Sequence, residues 1–205
     1  MSLSELVNPE ALIQYGGLVL LLLIIFAETG IFFGFFLPGD SLLFAAGLLA
    51  ESQYLDTPVT ILIVLLIVAA VSGTTVGYGV GRWAKTYLEN RRESFFYRKK
   101  YIELTEEFYQ RHGMMAFVLG RFLPIVRTFV PILAGMTHIN FKQFLLYNIL
   151  GATIWVVTMV MAGHLLGNAF PNLIEYLEYI VFGMILVTAI PLVLSLFRNK
   201  RNKGT

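Results

Sequence analysis

The sequence predicts an all-α integral membrane protein built from two inverted repeats. Each repeat is a broken re-entrant helix pair followed by a transmembrane helix, and one further transmembrane helix follows. Of the 205 residues, 57% are hydrophobic and 14% are charged, with a mean hydropathy of +0.73. Soluble domains carry charge on about a quarter of their residues. Two apolar stretches are interrupted by Pro, Gly and ionisable residues, and these two stretches resemble each other. We expect one membrane domain over residues 1–205.

The N-terminal region contains an apolar run that is short for a membrane span. Asn8-Pro9 predicts a helix start, because Pro suits the first position of a helix. Residues 11–27 are uncharged but number seventeen, fewer than the roughly 20 that a span needs. The run therefore either lies in the interface or crosses at a tilt, and both options stay open. The N-terminus has no positively charged start and no small-residue cleavage site, so we expect it to be retained.

Residues 26–50 form the first broken segment. It contains Glu28, Asp40 and the helix-breaking pair Pro38-Gly39, and neither flank carries Lys or Arg. A segment that enters and leaves on the same side fits this pattern better than a straight crossing. Such re-entrant backbone is tolerated in a membrane only inside protein or beside a water-filled cavity. The segment is therefore a candidate site.

Residues 58–81 are the first predicted transmembrane helix, since they contain no charge. The helix ends in Gly77-x-x-x-Gly81, a spacing that suits close helix packing. The following residues, 82–112, carry eight of the basic residues interleaved with aromatic ones, whereas residues 1–81 carry none. We interpret this segment as an amphipathic cytoplasmic anchor rather than a nucleic-acid site.

Residues 113–137 form the second broken segment, which we expect to enter from the cytoplasm. Predicted transmembrane helices follow at 141–165 and 178–197, and a basic cytoplasmic tail at 198–205 ends the chain. The ionisable residues and the expected helix breaks or half-helix ends of this segment are Gly120, Arg121, Pro124, Arg127, Pro131 and Gly135.

A short motif recurs in the two broken segments. Gly34-x-Phe36-Leu37-Pro38 reappears as Gly120-x-Phe122-Leu123-Pro124, and Ala46-Gly47 reappears as Ala134-Gly135. The spacing from Gly34 to Gly120 is 86 residues, as is the spacing from Gly77 to Gly163. Opposed repeats with broken helices that meet near the midplane are how many secondary transporters build a substrate site.

The ionisable residues of the two segments are the candidate functional groups. A charge at the bilayer centre costs about 2.5–3.5 kcal/mol, so four of them need partners or an anionic substrate. Arg121 and Arg127 suit phosphate, because guanidinium donates two parallel hydrogen bonds and a helix N-terminus after Pro124 adds N–H donors. Glu28 and Asp40 are the predicted charge partners, with Glu28 the candidate proton carrier.

Structural roles for the same residues stay open. Both arginines have side chains long enough to snorkel to the inner interface, and Asp40 could cap a half-helix that starts at Ser41. The chain has no Cys, and its three His residues show no metal spacing, so we predict no metal and no cofactor. It also contains no hydrolase or P-loop motif, and we predict no enzyme activity.

Beyond these physical arguments, the chain resembles the DedA family, the bacterial branch of the VTT-domain superfamily. The residues that carry the resemblance are Phe26-x-Glu28, Leu37-Pro38-Gly39-Asp40, His112-Gly113, Gly120-Arg121-Phe122-x-Pro124-x-x-Arg127, Pro131-x-x-Ala134-Gly135-Met136, Phe141 and Asn148-x-x-Gly151-x-x-x-Trp155. The resemblance covers nearly the whole chain.

This resemblance implies a multi-pass inner-membrane protein with two opposed re-entrant segments. It implies transport of undecaprenyl phosphate or phosphatidylethanolamine between leaflets and a link to the proton motive force. It assigns the functional acids to Glu28 and Asp40 and the functional arginines to Arg121 and Arg127. We therefore expect a flippase for a phosphate-bearing lipid whose partners are lipid and protons, with a homo-oligomer left open.

Four alternatives remain at this point. The first is a phosphatidylethanolamine flippase or scramblase, and the second is a proton-coupled exporter of small cations. The third is a lipid-phosphate phosphatase, which would need a nucleophile with an acid or base beside the phosphate site. No His lies in either broken core to serve there. The fourth is a scaffold without transport activity.

Overall fold

The structure of this chain is a computed structural model. It describes residues 9–31, 34, 37–52, 54–89, 115–137, 139–177, 179–180 and 182–183. The helices are α1 (Pro9–Gly30), α2 (Gly39–Leu49), α3 (Val59–Glu89), α4 (Met115–Gly120), α5 (Pro124–Met136) and α6 (Phe141–Ala169), followed by a 3₁₀ helix over Pro171–Tyr176. Across these ranges, β structure is limited to isolated bridges between residues 50 and 55. The fold is therefore all-α.

Among the described residues, two helices are long and apolar enough to cross a membrane. They are Val59–Lys85 within α3 and Phe141–Ala169, which is the whole of α6. Shorter apolar helices run over Gly17–Gly30, Gly39–Leu49 and Val126–Met136. The length, composition and helical structure of this chain are those of an all-α membrane protein.

Helix α1 is described from Pro9 onwards, and the start predicted from the Asn8-Pro9 pair stays a prediction. It is kinked at Gly17, whose φ of +55° lies in the left-handed region that favours glycine. The straight part after the kink, Gly17–Gly30, is about 21 Å long at 1.5 Å per residue. This length is short of the roughly 30 Å hydrocarbon core, so the straight part alone does not cross it.

The chain divides into two compact units. The described residues of one unit fall within 9–18, 38–59 and 159–183, and those of the other within 19–37 and 60–158. We describe each unit by itself.

In the first unit, α2 packs against the last turns of α6. All residues of α2 are buried except Asp40, which is half-buried. A Cβ added to Gly47 would overlap the carbonyl oxygen of Val160, and one added to Gly163 would overlap that of Phe44. The two backbones therefore approach as closely as glycine allows.

In the second unit, α1 and α5 pack against α3 at separate glycines of α3. A Cβ on Gly73 would overlap the carbonyl oxygen of Phe26 in α1, and one on Gly81 would overlap that of Ile132 in α5. Across the same contacts, a Cβ on Gly30 would lie 2.7 Å from the Gly73 oxygen. Contacts this short exclude any larger residue without a shift of backbone.

Helix α6 joins the second unit through aromatic packing. The rings of Tyr78 and Phe144 stack with centroids 4.4 Å apart, and the Tyr78 hydroxyl donates to the carbonyl oxygen of Ile139 at 3.0 Å. Tyr78, Phe144 and Ala134 of α5 form a buried apolar cluster. The second unit thus holds α1, α5 and α6 on α3.

Several sequence predictions concern the ends and interruptions of helices. Helix α2 begins at Gly39 with Pro38 as its N-cap, and α5 begins at Pro124 after α4 ends at Gly120. Pro131, expected to break a helix, instead lies inside α5, which continues to Met136. Pro removes one helical hydrogen bond, but close packing against neighbouring helices sustains a helix through it.

Other predictions lie wholly or partly outside the described residues. Helix α3 extends beyond the predicted span to Glu89, so its last turns include the start of the predicted amphipathic segment. The remainder of that segment, residues 90–112, is not among the described residues, and neither is the basic tail. Of the predicted span 178–197, the described residues are 179–180 and 182–183, and all four are helical.

Candidate functional site

Glu28 is brought into the second unit by the end of α1. The glycine contact between α1 and α3 lies two residues after Glu28, at Gly30. Thr29 binds its hydroxyl back to the carbonyl oxygen of Ile25 at 2.9 Å, which satisfies that polar group inside the helix. Glu28 itself is fully buried. A carboxylate in such a place needs a partner, because isolated buried charge is strongly unfavourable.

The two arginines come from the turn between α4 and α5 and from the first turn of α5. Arg121 lies in the turn, where Leu123 N–H donates to the carbonyl oxygen of Gly120 at 3.0 Å. Arg127 is the fourth residue of α5, and its N–H donates to the carbonyl oxygen of Leu123 at 3.0 Å. A Cβ on Gly120 would lie 2.7 Å from Val126 Cγ1, so the turn is tightly closed.

Arg127 and Glu28 form a buried ion pair. Arg127 Nη2 donates to Glu28 Oε1, and the side chains are only 2% and 0% exposed. The Arg127 guanidinium also lies over the ring of Trp155, with Cζ 4.9 Å from the ring centroid. A cation over the face of Trp is attracted by the negative charge of the ring face. Arg127 thus contacts both a charged and an aromatic partner.

Arg121 has neutral partners instead. Its Nη2 donates to Thr74 Oγ1 at 3.0 Å and to Asn148 Oδ1. The residue is 4% exposed, and its Nη1 is buried without a hydrogen-bond partner among the described residues. Buried donors are nearly always satisfied in folded proteins, and an exception calls for an explanation.

A small cavity lies between the two guanidinium groups. Its polar lining is Thr74, Arg121, Arg127 and Asn148, and its apolar lining comes chiefly from α5. The volume is about 10 Å³, close to the smallest space that holds one water molecule. A phosphate group is larger, so it would fit only if the side chains that line the cavity moved.

Asp40, the fourth predicted site residue, belongs to the other compact unit. It is the second residue of α2, where an acidic side chain interacts favourably with the positive end of the helix dipole. The N-cap position belongs to Pro38, so the expectation that Asp40 caps a helix starting at Ser41 is not met. The second unit therefore brings together three of the four predicted ionisable residues.

Sequence reasoning from charge overlooked three neutral residues of the site. Thr74 and Asn148 bind Arg121, and Trp155 stacks on Arg127. Asn148 and Trp155 are seven residues apart, two turns of α6, and so share a helix face. A polar amide two turns before a Trp on an otherwise apolar helix was the signal available in the sequence.

Comparison with known proteins identifies the family. The VTT domain matches residues 37–165. The chain is 40% identical to Protein DedA of Escherichia coli strain K12 over 194 residues, which covers 94% of this chain and 88% of that protein. It is 34% identical over 198 residues to an uncharacterized membrane protein of Mycobacterium leprae, with 97% and 87% covered.

A third relative is the inner membrane protein YqjA of Escherichia coli strain K12. It is 32% identical over 176 residues, which cover 86% of this chain and 79% of that protein. No solved structure matches the chain significantly. With a matching domain over most of its length and relatives aligned almost end to end, the chain belongs to the DedA family of VTT-domain membrane proteins.

Proposed function

We propose that this protein is a flippase that moves a phosphate-bearing lipid between the leaflets of a membrane. Arg121 and Arg127 bind the phosphate, and Glu28 is the partner that Arg127 leaves when the phosphate arrives. The observation that carries the proposal is the pair of buried guanidinium groups on one cavity. Ionisable residues inside membrane segments usually mark a substrate or ion pathway.

The charges of this cluster favour an anion. Glu28, Arg121 and Arg127 together carry a formal charge of +1, and all three are at most 5% exposed. Two guanidinium groups on one cavity repel each other, and the low dielectric of the interior strengthens that repulsion. An anion placed between them would remove it. Arg121 Nη1, buried without a partner in the described part of the chain, is a donor available to that anion.

Phosphate fits these donors in geometry as well as in charge. Guanidinium presents parallel N–H groups that match two oxygens of a phosphate. The 13-residue helix α5 starts at Pro124, between the two arginines, and the positive end of its dipole favours an anion there. A simple cation site would lack these features, so an exporter of small cations is disfavoured.

The small volume of the cavity implies that Arg127 changes its partner during transport. Because a phosphate does not fit into about 10 Å³, binding requires the cavity to widen. In our proposal the Arg127–Glu28 pair then opens, and Arg127 turns from the carboxylate to the phosphate. Glu28 takes up a proton as it loses its partner, which couples lipid movement to protons.

A lipid substrate fits the membrane setting of the site. The headgroup would enter the cluster while the hydrocarbon tail stays among the lipids, so the tail needs no pocket of its own. Within this class we propose a polyprenyl monophosphate, with undecaprenyl phosphate first. Phosphatidylethanolamine is the alternative, and its amine would need an additional carboxylate such as Asp40.

The remaining topological features are part of the same proposal. We propose two opposed re-entrant segments that alternate access to the site, with residues 82–112 and the tail on the cytoplasmic side of the inner membrane. The close glycine contact of a half-helix with a long helix occurs in both units, at Gly47 in α2 and at Gly135 in α5. This likeness supports the proposed repeat.

Transport needs no chemical step at this site. The relatives are described as DedA, inner membrane or uncharacterized membrane proteins rather than as enzymes. We therefore propose transport without hydrolysis, and release of inorganic phosphate from a lipid phosphate would contradict it.

Leaflet exchange in liposomes tests the proposal. Purified protein would be reconstituted with fluorescent polyprenyl monophosphate or, separately, with fluorescent phosphatidylethanolamine, and a membrane-impermeant quencher would report the outer leaflet. We expect fast exchange of the polyprenyl phosphate with the unaltered chain and its loss with Arg127→Ala. Faster exchange of phosphatidylethanolamine would instead favour the alternative substrate.

Lys142→Ala is the matched control for Arg127→Ala. It also removes one positive charge, but from an exposed position at the start of α6. We expect this variant to exchange lipid like the unaltered protein. Equal exchange by the Lys142→Ala and Arg127→Ala variants, both folded, would contradict a role of the buried arginine in binding.

A further inference from the structure

Arg121 and Arg127 are held by partners of different kinds. Arg127 bonds to the carboxylate of Glu28, a partner whose charge an incoming anion can replace. Arg121 bonds through Nη2 to a hydroxyl and an amide oxygen, which carry no charge. Neutral acceptors fix the guanidinium in place while its full positive charge remains available. The two arginines are thus built for different tasks.

The partners of Arg121 are themselves held in a fixed orientation. Asn148 Nδ2 donates to the carbonyl oxygen of Val71 at 3.2 Å and to Thr75 Oγ1 at 3.4 Å. A backbone carbonyl can only accept, so the amide must turn its oxygen to Arg121. Thr74 donates its hydroxyl proton to the carbonyl oxygen of Ala70 at 2.7 Å and therefore accepts from Arg121.

We propose that Asn148 is a positioning residue that holds Arg121 as a permanent anion-binding group, with Nη1 directed to the ligand. This inference rests on the proposed function and assigns a different role in transport to each of the two arginines. Arg121 binds the phosphate in every step, and Arg127 alternates between Glu28 and the phosphate. The neutrality of Asn148 is essential, because a carboxylate at this position would compete with the ligand for Arg121.

Exchange of the amide for a carboxylate separates this role from a structural one. Asn148→Asp keeps the size of the side chain and gives Arg121 a charged partner. It also replaces the Nδ2 donor to the carbonyl oxygen of Val71 with an acceptor, so we expect some loss of stability. Its affinity for an anion should fall, because like charges that face each other in a binding site repel strongly. A merely structural residue would lower the binding of a charged ligand and of its uncharged analogue alike.

Binding to the detergent-solubilised full chain gives the readout. The probe is farnesyl phosphate, with farnesol as the uncharged control, measured by calorimetry beside the melting temperature. We expect Asn148→Asp to raise the dissociation constant for farnesyl phosphate by about tenfold or more, since like-charge repulsion is strong at close range. Binding of farnesol should not fall.

Three further variants serve as controls for this test. Gln143→Glu makes the same change of charge at an exposed position of α6 and should leave binding unchanged. Thr74→Val removes the second acceptor of Arg121 and should weaken farnesyl phosphate binding, while Thr74→Ser should restore it. If Asn148→Asp does not fold, the two Thr74 variants test whether neutral acceptors position Arg121.

The outcomes of this experiment are distinct. Unchanged affinity for farnesyl phosphate in Asn148→Asp, or an equal loss of affinity for farnesyl phosphate and for farnesol, would overturn the positioning role while leaving the proposed function in place. If the unaltered chain bound farnesyl phosphate no better than farnesol, both the proposed function and this inference would fail.

Discussion

Arg127 in α5 donates a hydrogen bond to Glu28 in α1, although the two residues are 99 positions apart in the chain. Both side chains are almost fully buried. The contact depends on two separate packing events, α1 against Gly73 and α5 against Gly81 of the same helix. The ion pair therefore reports whether the whole second unit is correctly assembled.

The Glu28–Arg127 pair predicts a strong coupling in stability. Removing one member leaves an uncompensated buried charge, which typically costs about 3–5 kcal/mol. We expect Glu28→Gln and Arg127→Gln each to lower the unfolding free energy by such an amount, and the double variant to lose clearly less than the sum. Denaturant unfolding in detergent micelles measures the cycle. Additive losses would mean that the two side chains do not interact.

The stacking of Arg127 on Trp155 predicts a smaller effect with a matched control. Trp is the strongest aromatic partner for a cation, and a desolvated contact contributes up to about 2 kcal/mol. Trp155→Phe should lower the unfolding free energy by roughly 1–2 kcal/mol through the weaker contact and the lost volume. Trp83→Phe, at a position that is 69% exposed, should change it little.

A double variant separates the effect of the cation contact from the effect of the lost volume. In an Arg127→Gln background, the part of the Trp155→Phe loss that comes from the cation contact should disappear. Identical losses in both backgrounds would show that Trp155 acts only by filling space.

The helix interruptions were predictable from the sequence because their causes are local. Pro38-Gly39 and Pro124 lie where α2 and α5 begin, since Pro suits a helix start and disfavours helix in the residue before it. Pro131 shows the limit of this rule. Its ring and missing N–H are the same, but it lies in a helix packed on α3 by Ile132 and Gly135, and α5 continues through it.

The ionisable residues of the site could be selected from the sequence, but their pairing could not. Charge in an apolar stretch identifies Glu28, Arg121 and Arg127 without any coordinates. Which carboxylate meets which arginine depends on the packing of helices distant in sequence. Thr74 was not singled out, and Asn148 carried the family resemblance without a role in the site, because both are neutral and neutral polar residues occur in membrane helices for many reasons.

Glycine spacing indicated close helix packing but not which glycine makes the shortest contact. A spacing of 86 residues pairs Gly77 with Gly163, whereas Gly81 is the residue of α3 that resembles Gly163 in its contact. Each of these two would overlap a carbonyl oxygen of a half-helix, that of Ile132 or that of Phe44. Gly77 meets its neighbours at ordinary van der Waals distance. Spacing reports a helix face, and only the packing shows which residue makes the contact.

This difference predicts unequal effects of alanine along α3. Gly81→Ala would force its Cβ into the backbone of α5, so we expect a loss of several kcal/mol or failure to fold, as for other overpacked positions. Within the described part of the chain, no neighbouring atom lies within 4 Å of a Cβ added at Gly79. Gly79→Ala should therefore be neutral or slightly stabilising, because Ala favours helix. Melting temperatures in detergent would compare the two.

A tolerant Gly81 would contradict the packing described here. Gly77→Ala should fall between the other two variants, since its Cβ would lie 3.5 Å from the Gly30 oxygen. This order of effects is specific to the crossing of α3 with α1 and α5, and a general need for helix flexibility would not produce it.

The charges at the site predict how many protons accompany each lipid. A phosphate monoester carries about −2 at pH 8, well above its second pKa near 6, and would neutralise both arginines. Glu28 would then have lost its partner, and its burial favours the neutral form, so binding should take up about one proton. A phosphodiester carries about −1, and the cluster would be neutral with Glu28 still ionised. It should bind without proton uptake.

A pH-sensitive dye in weakly buffered detergent at pH 8 would count these protons directly. The unaltered chain should take up about one proton with farnesyl phosphate and none with phosphatidylglycerol, as the charge balance requires. Glu28→Gln should abolish uptake with farnesyl phosphate, whereas Glu51→Gln, at an exposed acid, should preserve it. Uptake that persisted in Glu28→Gln would assign the proton to another group and remove Glu28 from the coupling mechanism.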